Sequence, residues 1–184
     1  MTEKQYIDLK NTYLGNIQKY MKQEGGMFSH ISIFAEPLEV NDEEIDPERT
    51  AIIHIPIPEK MANSENGKEY FISKMIPEIA DTIKQQFNTV GVVWASEAWL
   101  RVANKNEESK LDNWKDMPIK KEVLMIAIES KFGNEALVYE IVRKGMQVTE
   151  DGLSDTIELI KDEQLSGNDL PLQGRFAGLY QKFI

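Results

Sequence analysis

The chain has 184 residues, 41% hydrophobic and 28% charged, with 11 Gly and 7 Pro, a balance that excludes collagenous, low-complexity and wholly disordered classes. It contains no cysteine, which removes disulfides, thiolate nucleophiles, iron–sulfur clusters and cysteine-based zinc sites. A net charge of −10, from 21 Lys+Arg against 31 Asp+Glu, repels phosphate backbones at long range and argues against nucleic acid as a partner.

The first ten residues, MTEKQYIDLK, are polar and lack the apolar core of a signal peptide. The longest apolar run, Val123 to Ile128, is six residues and far short of a membrane span. The expectation is a cytoplasmic protein with no membrane partner. Over residues 5–22, Tyr6, Leu9, Tyr13, Ile17, Tyr20 and Met21 recur at spacings of three and four, one face of an amphipathic helix. Gly25-Gly26 ends it, because glycine readily takes the left-handed backbone that closes helices.

Residues 27–35 and 50–57 are rich in β-formers and read as strands. Between them the acidic run 36–48 carries Glu36, Glu39, Asp42, Glu43, Glu44, Asp46 and Glu48. It reads as a solvated loop, with a cation site, a basic protein partner or mimicry of DNA charge as sharper alternatives. Residues 59–68 read as a second loop, and most of residues 69–86 as a helix marked by Ile72, Met75, Ile76, Ile79, Ile83 and Phe87. Pro77 lacks the N–H that an interior turn needs, so this helix either kinks there or begins near Ile76.

Residues 89–103 read as a long strand bulged at Gly91, and a polar loop follows to Pro118. Residues 121–132 and 135–144 flank Gly133-Asn134, which predicts a hairpin with Phe132 facing Glu135, Ile128 facing Tyr139 and Ile126 facing Ile141. One face of that hairpin is strongly apolar. Residues 153–162 fit a short strand or a helical turn. At the end, Phe176, Leu179, Tyr180 and Phe183 form a helical stripe that must dock on its own domain or on a partner. The whole, residues 1–184, reads as a single α+β domain: a mainly antiparallel sheet with the N-terminal and middle helices on one face.

Chemistry is bounded by supply. Gly67-Lys68 lacks the hydroxyl residue of a phosphate loop, and Pro47 and Ile53 occupy the glycine and glutamate positions of a calcium loop starting at Asp42. Two histidines, His30 and His54, are the whole imidazole supply, so a metal site would need a carboxylate, Glu97 or Glu122. Alternation places both rings on one side if their strands pair. A serine nucleophile would have to be Ser29, Ser32 or Ser96. Trp94 and Trp99 sit in an apolar strand and read as core. Trp114 sits among polar residues and, with Phe176 and Tyr180, is a candidate partner contact.

Ser96-Glu97-Ala98-Trp99, a polar loop closing at Pro118, and Lys121-Glu122-Val123-Leu124-Met125 together resemble the signature of an uncharacterised family of short bacterial and phage proteins. The resemblance covers about 40 residues and implies no activity. Here the loop NKNEESKLDNWKD replaces that family's Pro- and Ser-containing stretch. On the residues alone, Glu97 and Glu122 read as an ion-pair cluster with Arg101, Arg143 or Lys121 that fixes sheet register, or as a carboxylate pair for metal or acid–base work. The preferred reading is a non-enzymatic binding or assembly protein with an acidic surface, in a phage or mobile-element setting. It needs no cofactor and engages a protein partner or a second copy. The alternative is a small hydrolase using a divalent metal on His30, His54 and Glu97.

Overall fold

The computed structural model describes residues 1–38, 50–101, 119–149, 152–168 and 176–184. Helix α1 (Glu3–Glu24) starts at a capping box: the Thr2 side chain accepts from Gln5 N–H while the Gln5 side chain accepts from Thr2 N–H. It stops at Gly25, whose φ of 73° lets its N–H reach back to Met21 O. Of its predicted apolar face, Tyr6, Tyr13, Ile17 and Met21 are buried, together with Leu14, whereas Tyr20 is 47% exposed.

The fold is α+β. Strands β1 (His30–Pro37), β2 (Ala51–Pro56), β3 (Phe87–Arg101), β4 (Ile119–Ser130), β5 (Gly133–Thr149) and β6 (Gly152–Lys161) form an antiparallel sheet in the order β2-β1-β3-β4-β5-β6. A two-residue β7 (Gly167–Asn168) pairs with β5. Residues 153–162, open between strand and helix in the sequence, thus lie almost wholly in β6.

Both faces of the sheet are covered, and successive residues of β1 divide between two cores. Phe34 packs under α1 with Val93, Leu124, Ile126 and Leu137. Ile31, Ile33 and Ala35 point the other way, against α4 (Ile76–Lys84) and α5 (Leu179–Phe183) through Ile76, Ile83, Leu179 and Phe183. The expectation of both helices on one face is therefore corrected. β1 is buried at five consecutive positions, so it carries no amphipathic alternation that would assign a helix to a side.

Three further differences have local causes. The expected loop 59–68 contains α2 (Glu59–Ala62) and α3 (Glu65–Tyr70), the latter capped by Ser64, whose Oγ accepts from Gly67 N–H at 3.0 Å. The chain then passes through a π-helical turn, Phe71–Met75, into α4. Ile76 N–H reaches Phe71 O, five residues back, and this widened turn sits where Pro77 would otherwise clash with a helical carbonyl.

The hairpin of β4 and β5 forms, but it turns at Lys131-Phe132, so Ser130 faces Gly133 and Ile128 faces Glu135. Ser130 Oγ accepts from Phe132 N–H at 3.1 Å and donates to Gly133 O at 3.0 Å, and Gly133 takes a φ of 131°. Partners shift by four positions, an even number. The same side chains therefore share the apolar face as expected.

The bulge falls one residue before Gly91. Phe34 pairs with Gly91 and Ala35 with Thr89, leaving Val90 as the extra residue. Gly91 itself is where α1 meets the sheet: a Cβ there would lie 2.9 Å from Tyr6 Cε2 and 3.1 Å from Ser130 Cβ. The C-terminal stripe docks on its own chain. Buried Glu129 accepts from Gly178 N–H (2.6 Å) and Tyr180 N–H (2.9 Å) at the start of α5, and Phe176 stacks on Trp94 at 4.6 Å.

Gly91→Val would force two branched methyls into a space bounded on both sides. We expect a loss of about 1–3 kcal/mol, read as a lower urea midpoint with an unchanged slope. An unchanged midpoint would mean that α1 shifts freely over β3.

Candidate functional site

Pairing of β1 with β2 places His54 opposite Ser32, and His30 two residues along on the same face. The expected convergence of the two imidazoles occurs, with ring centroids 6.2 Å apart. Sequence reasoning missed what joins them. Tyr13 Oη, from α1, lies 2.8 Å from His30 Nε2 and 2.6 Å from Ser32 Oγ, and Ser32 Oγ lies 2.8 Å from His54 Nδ1. His30 Nδ1–H donates to Phe28 O at 3.0 Å. Tyr13 reads in sequence as one more apolar tooth of α1, and nothing local marks its hydroxyl as the bridge.

Burial grades along this chain of bonds. Ser32 is fully buried and Tyr13 nearly so, His30 is half-buried, and His54 is exposed. Burial pushes the Tyr13 phenol up to about 12, against the smaller pull of its bond to Ser32. Burial also holds His30 below the ordinary imidazole value, opposed by its bond to Phe28 O and assisted by the nearby His54. A serine buried as Ser32 is offers no nucleophile to a substrate. The hydroxyls of Ser29 and Ser96 are hydrogen-bonded to each other.

The histidines form the polar floor of a groove of about 590 Å³ between α1 and the β1–β2 edge. Its walls include Ile17 and Tyr20 from α1, Phe28 from the α1–β1 connection, and Ile52 and Pro56 from β2. Phe28 is 73% exposed and also lines a second cleft of about 340 Å³ with Trp99, itself 63% exposed, and with Glu59, Glu97 and Glu122.

Glu97 does not join the histidines. It lies one same-face step along β3 beyond Ala95, the cross-strand partner of His30. Its carboxylate is engaged elsewhere, accepting from Met27 N–H and lying 3.8 Å from Arg143 Nη2. Among the described residues, no three of His, Asp and Glu converge to hold a metal ion, so the His30–His54–Glu97 triad is not assembled.

Glu97 and Glu122 instead meet at Arg143. Its Nε and Nη2 donate to the two oxygens of Glu122 at 2.9 and 2.6 Å, and Nη1 donates to Gly25 O at 2.8 Å. The guanidinium thus ties β3, β4 and β5 to the C-terminus of α1 in one planar fork. Lys121, another of the three candidate cations, serves Glu140 (2.9 Å) and Asp162 (3.6 Å), and the Arg101 side chain lies outside the described residues.

Of the candidate partner contacts, Phe176 is stacked on Trp94 and Tyr180 is partly buried against the core of the α4 face. Trp114 and the acidic residues 39–48 lie outside the described residues, as does the polar loop to Pro118. Among the described residues no helix is long and apolar enough to cross a membrane. Comparison of the chain with protein-family models, curated proteins and solved structures finds no match.

Two predictions follow from this geometry. Because folding depresses the His30 pKa, the unfolded chain binds more protons below the ordinary imidazole value of about 6.5, and stability falls as pH drops through it. His30→Gln should flatten that slope in thermal melts between about pH 7.5 and 5.5, and equal slopes would refute the assignment. Arg143→Met should cost about 0.5–1.5 kcal/mol, since it strips one bidentate carboxylate and one carbonyl of a half-exposed partner. Lys121→Met, on a solvent-screened pair, should lower the denaturation midpoint less than Arg143→Met does in the same assay.

Proposed function

We propose that the chain is a non-enzymatic binding protein whose ligand lies in the groove between α1 and the β1–β2 edge. The observation that supports it is the contrast within that groove. Apolar walls surround a floor in which Tyr13 Oη, Ser32 Oγ, both ring nitrogens of His30 and His54 Nδ1 are hydrogen-bonded, whereas His54 Nε2 has no partner among the described residues. Ligand sites are typically clefts of about 300–1,000 Å³ with mostly apolar walls and a few convergent polar groups, and this groove fits that description. The net charge of −10 repels anions at long range and favours uncharged or cationic ligands. The metal-dependent alternative lacks comparable support, because the histidines have no acidic third ligand among the described residues.

Amide NMR with a library of small aromatic compounds tests the reading. We expect binders at sub-millimolar concentration whose shift changes cluster at Ile17, Tyr20, Phe28 and Ile52. Changes confined to the opposite face, or no binders at all, would overturn it.

Exposure of Phe28 and Trp99 beside one another's cleft favours a second reading, a protein partner or a second copy docking at that end. Under it, the wild-type chain sediments as an oligomer, and the double variant Phe28→Ser, Trp99→Ser as a monomer.

A further inference from the structure

Donor and acceptor arithmetic across the groove floor leaves a single arrangement of protons. The Phe28 carbonyl can only accept, so His30 Nδ1 carries a proton. Neutral His30 then has a bare Nε2, and the atom 2.8 Å from it, Tyr13 Oη, must donate. Tyr13 has one proton, now used, so at 2.6 Å it accepts from Ser32 Oγ. Ser32 has likewise one proton, now used, so at 2.8 Å its Oγ accepts from His54 Nδ1–H. Every hydrogen bond runs the same way, from His54 at the surface to the Phe28 carbonyl.

The far end of the chain decides the near end. In its neutral form His54 is held as the Nδ1–H tautomer, and its Nε2 meets the groove as a lone pair with no partner among the described residues. Reversal would require a second proton on His30, whose half-buried ring disfavours that charge. The high pKa of Tyr13 keeps the central proton in place at neutral pH.

From this arrangement we infer that the groove selects ligands that donate a hydrogen bond: an uncharged aromatic alcohol or phenol whose ring lies among Ile17, Tyr20, Phe28 and Ile52 and whose O–H points at His54 Nε2. The inference rests on the binding reading above and names the ligand class for that same site. An ether of the same shape offers His54 no proton. Because His54 is exposed and its unpaired nitrogen can be hydrated, the discrimination is modest, roughly three- to tenfold.

The test has two independent readouts, both at about pH 8, more than a unit above the ordinary imidazole value. Imidazole ¹⁵N shifts report the tautomer of His54 without any ligand. We expect Nδ1–H in the wild type and a shift toward Nε2–H in Tyr13→Phe, where Ser32 is free to turn its proton to His54. Ser32→Ala cuts the same chain at its other link and serves if Tyr13→Phe does not fold. The second readout is the affinity ratio of 2-naphthol to 2-methoxynaphthalene, expected at roughly three to ten in the wild type and near one in either variant. An Nε2–H tautomer in the wild type overturns the inference whatever binds. Equal binding of the two compounds to the wild type overturns the donor requirement while leaving the groove as a site. If neither compound binds at millimolar concentration and the tautomer is Nδ1–H, the directional chain stands and the assignment of the groove to aromatic alcohols falls.

Discussion

Close approach of one long helix to one glycine governs the rest of this molecule. Tyr6 lies where a side chain on Gly91 would be, so α1 can settle onto the sheet with Tyr13 against Phe34 in an edge-on contact at 5.2 Å. That seating depth carries the Tyr13 hydroxyl to within hydrogen-bond reach of both β1 side chains, His30 and Ser32. It also brings the end of the helix, at Gly25, to the guanidinium of Arg143. Core packing at one end of α1, the polar chain at its middle and the ion cluster at its end are consequences of a single docking geometry.

The two polar features differ in what they do with their charges and dipoles. Arg143 closes a structural knot: its donors are directed at two carboxylates and a carbonyl, and from β5 it holds groups of β3, β4 and the end of α1. The Tyr13–Ser32–His pair is the opposite case, a linear chain buried at its middle, closed at one end by the Phe28 carbonyl and open to a groove at the other. Buried polar chains tolerate few alternative proton arrangements, because each wrong choice leaves an unsatisfied group in a low-dielectric interior. That intolerance is what turns a set of hydrogen bonds into a rule about ligands.

Covering both faces of the sheet has its own consequence. Strand β1 is sandwiched between the α1 core and the α4–α5 core, and the second core depends on the chain end returning to it. Buried Glu129 makes that return specific, since its two oxygens receive the N–H groups that open α5. A stripe of large apolar residues that looks in sequence like an adhesive surface is thus spent internally on Leu179 and Phe183, which are almost wholly buried.

Local patterning was enough to determine much of the framework. The spacing of Tyr6, Tyr13 and Ile17 makes α1, Gly25 stops it, and alternation along β4 and β5 assigns their side chains to faces even though the turn forms two residues earlier than Gly133-Asn134 suggests. The meeting of His30 with His54 was legible for the same reason, since period-two alternation survives any pairing of their strands in even register. What only the tertiary structure decided are the relations between distant segments. The side of the sheet each helix takes is one, because a strand buried on both faces carries no polar side to exclude a helix. The commitment of Glu97 to Arg143 rather than to the histidines is another, because one step along a strand changes which neighbours a carboxylate can reach. The hydroxyl that joins the histidines is the last: Tyr13 is separated from His30 by 17 positions, and only the docking of a helix on a sheet converts that separation into a hydrogen bond.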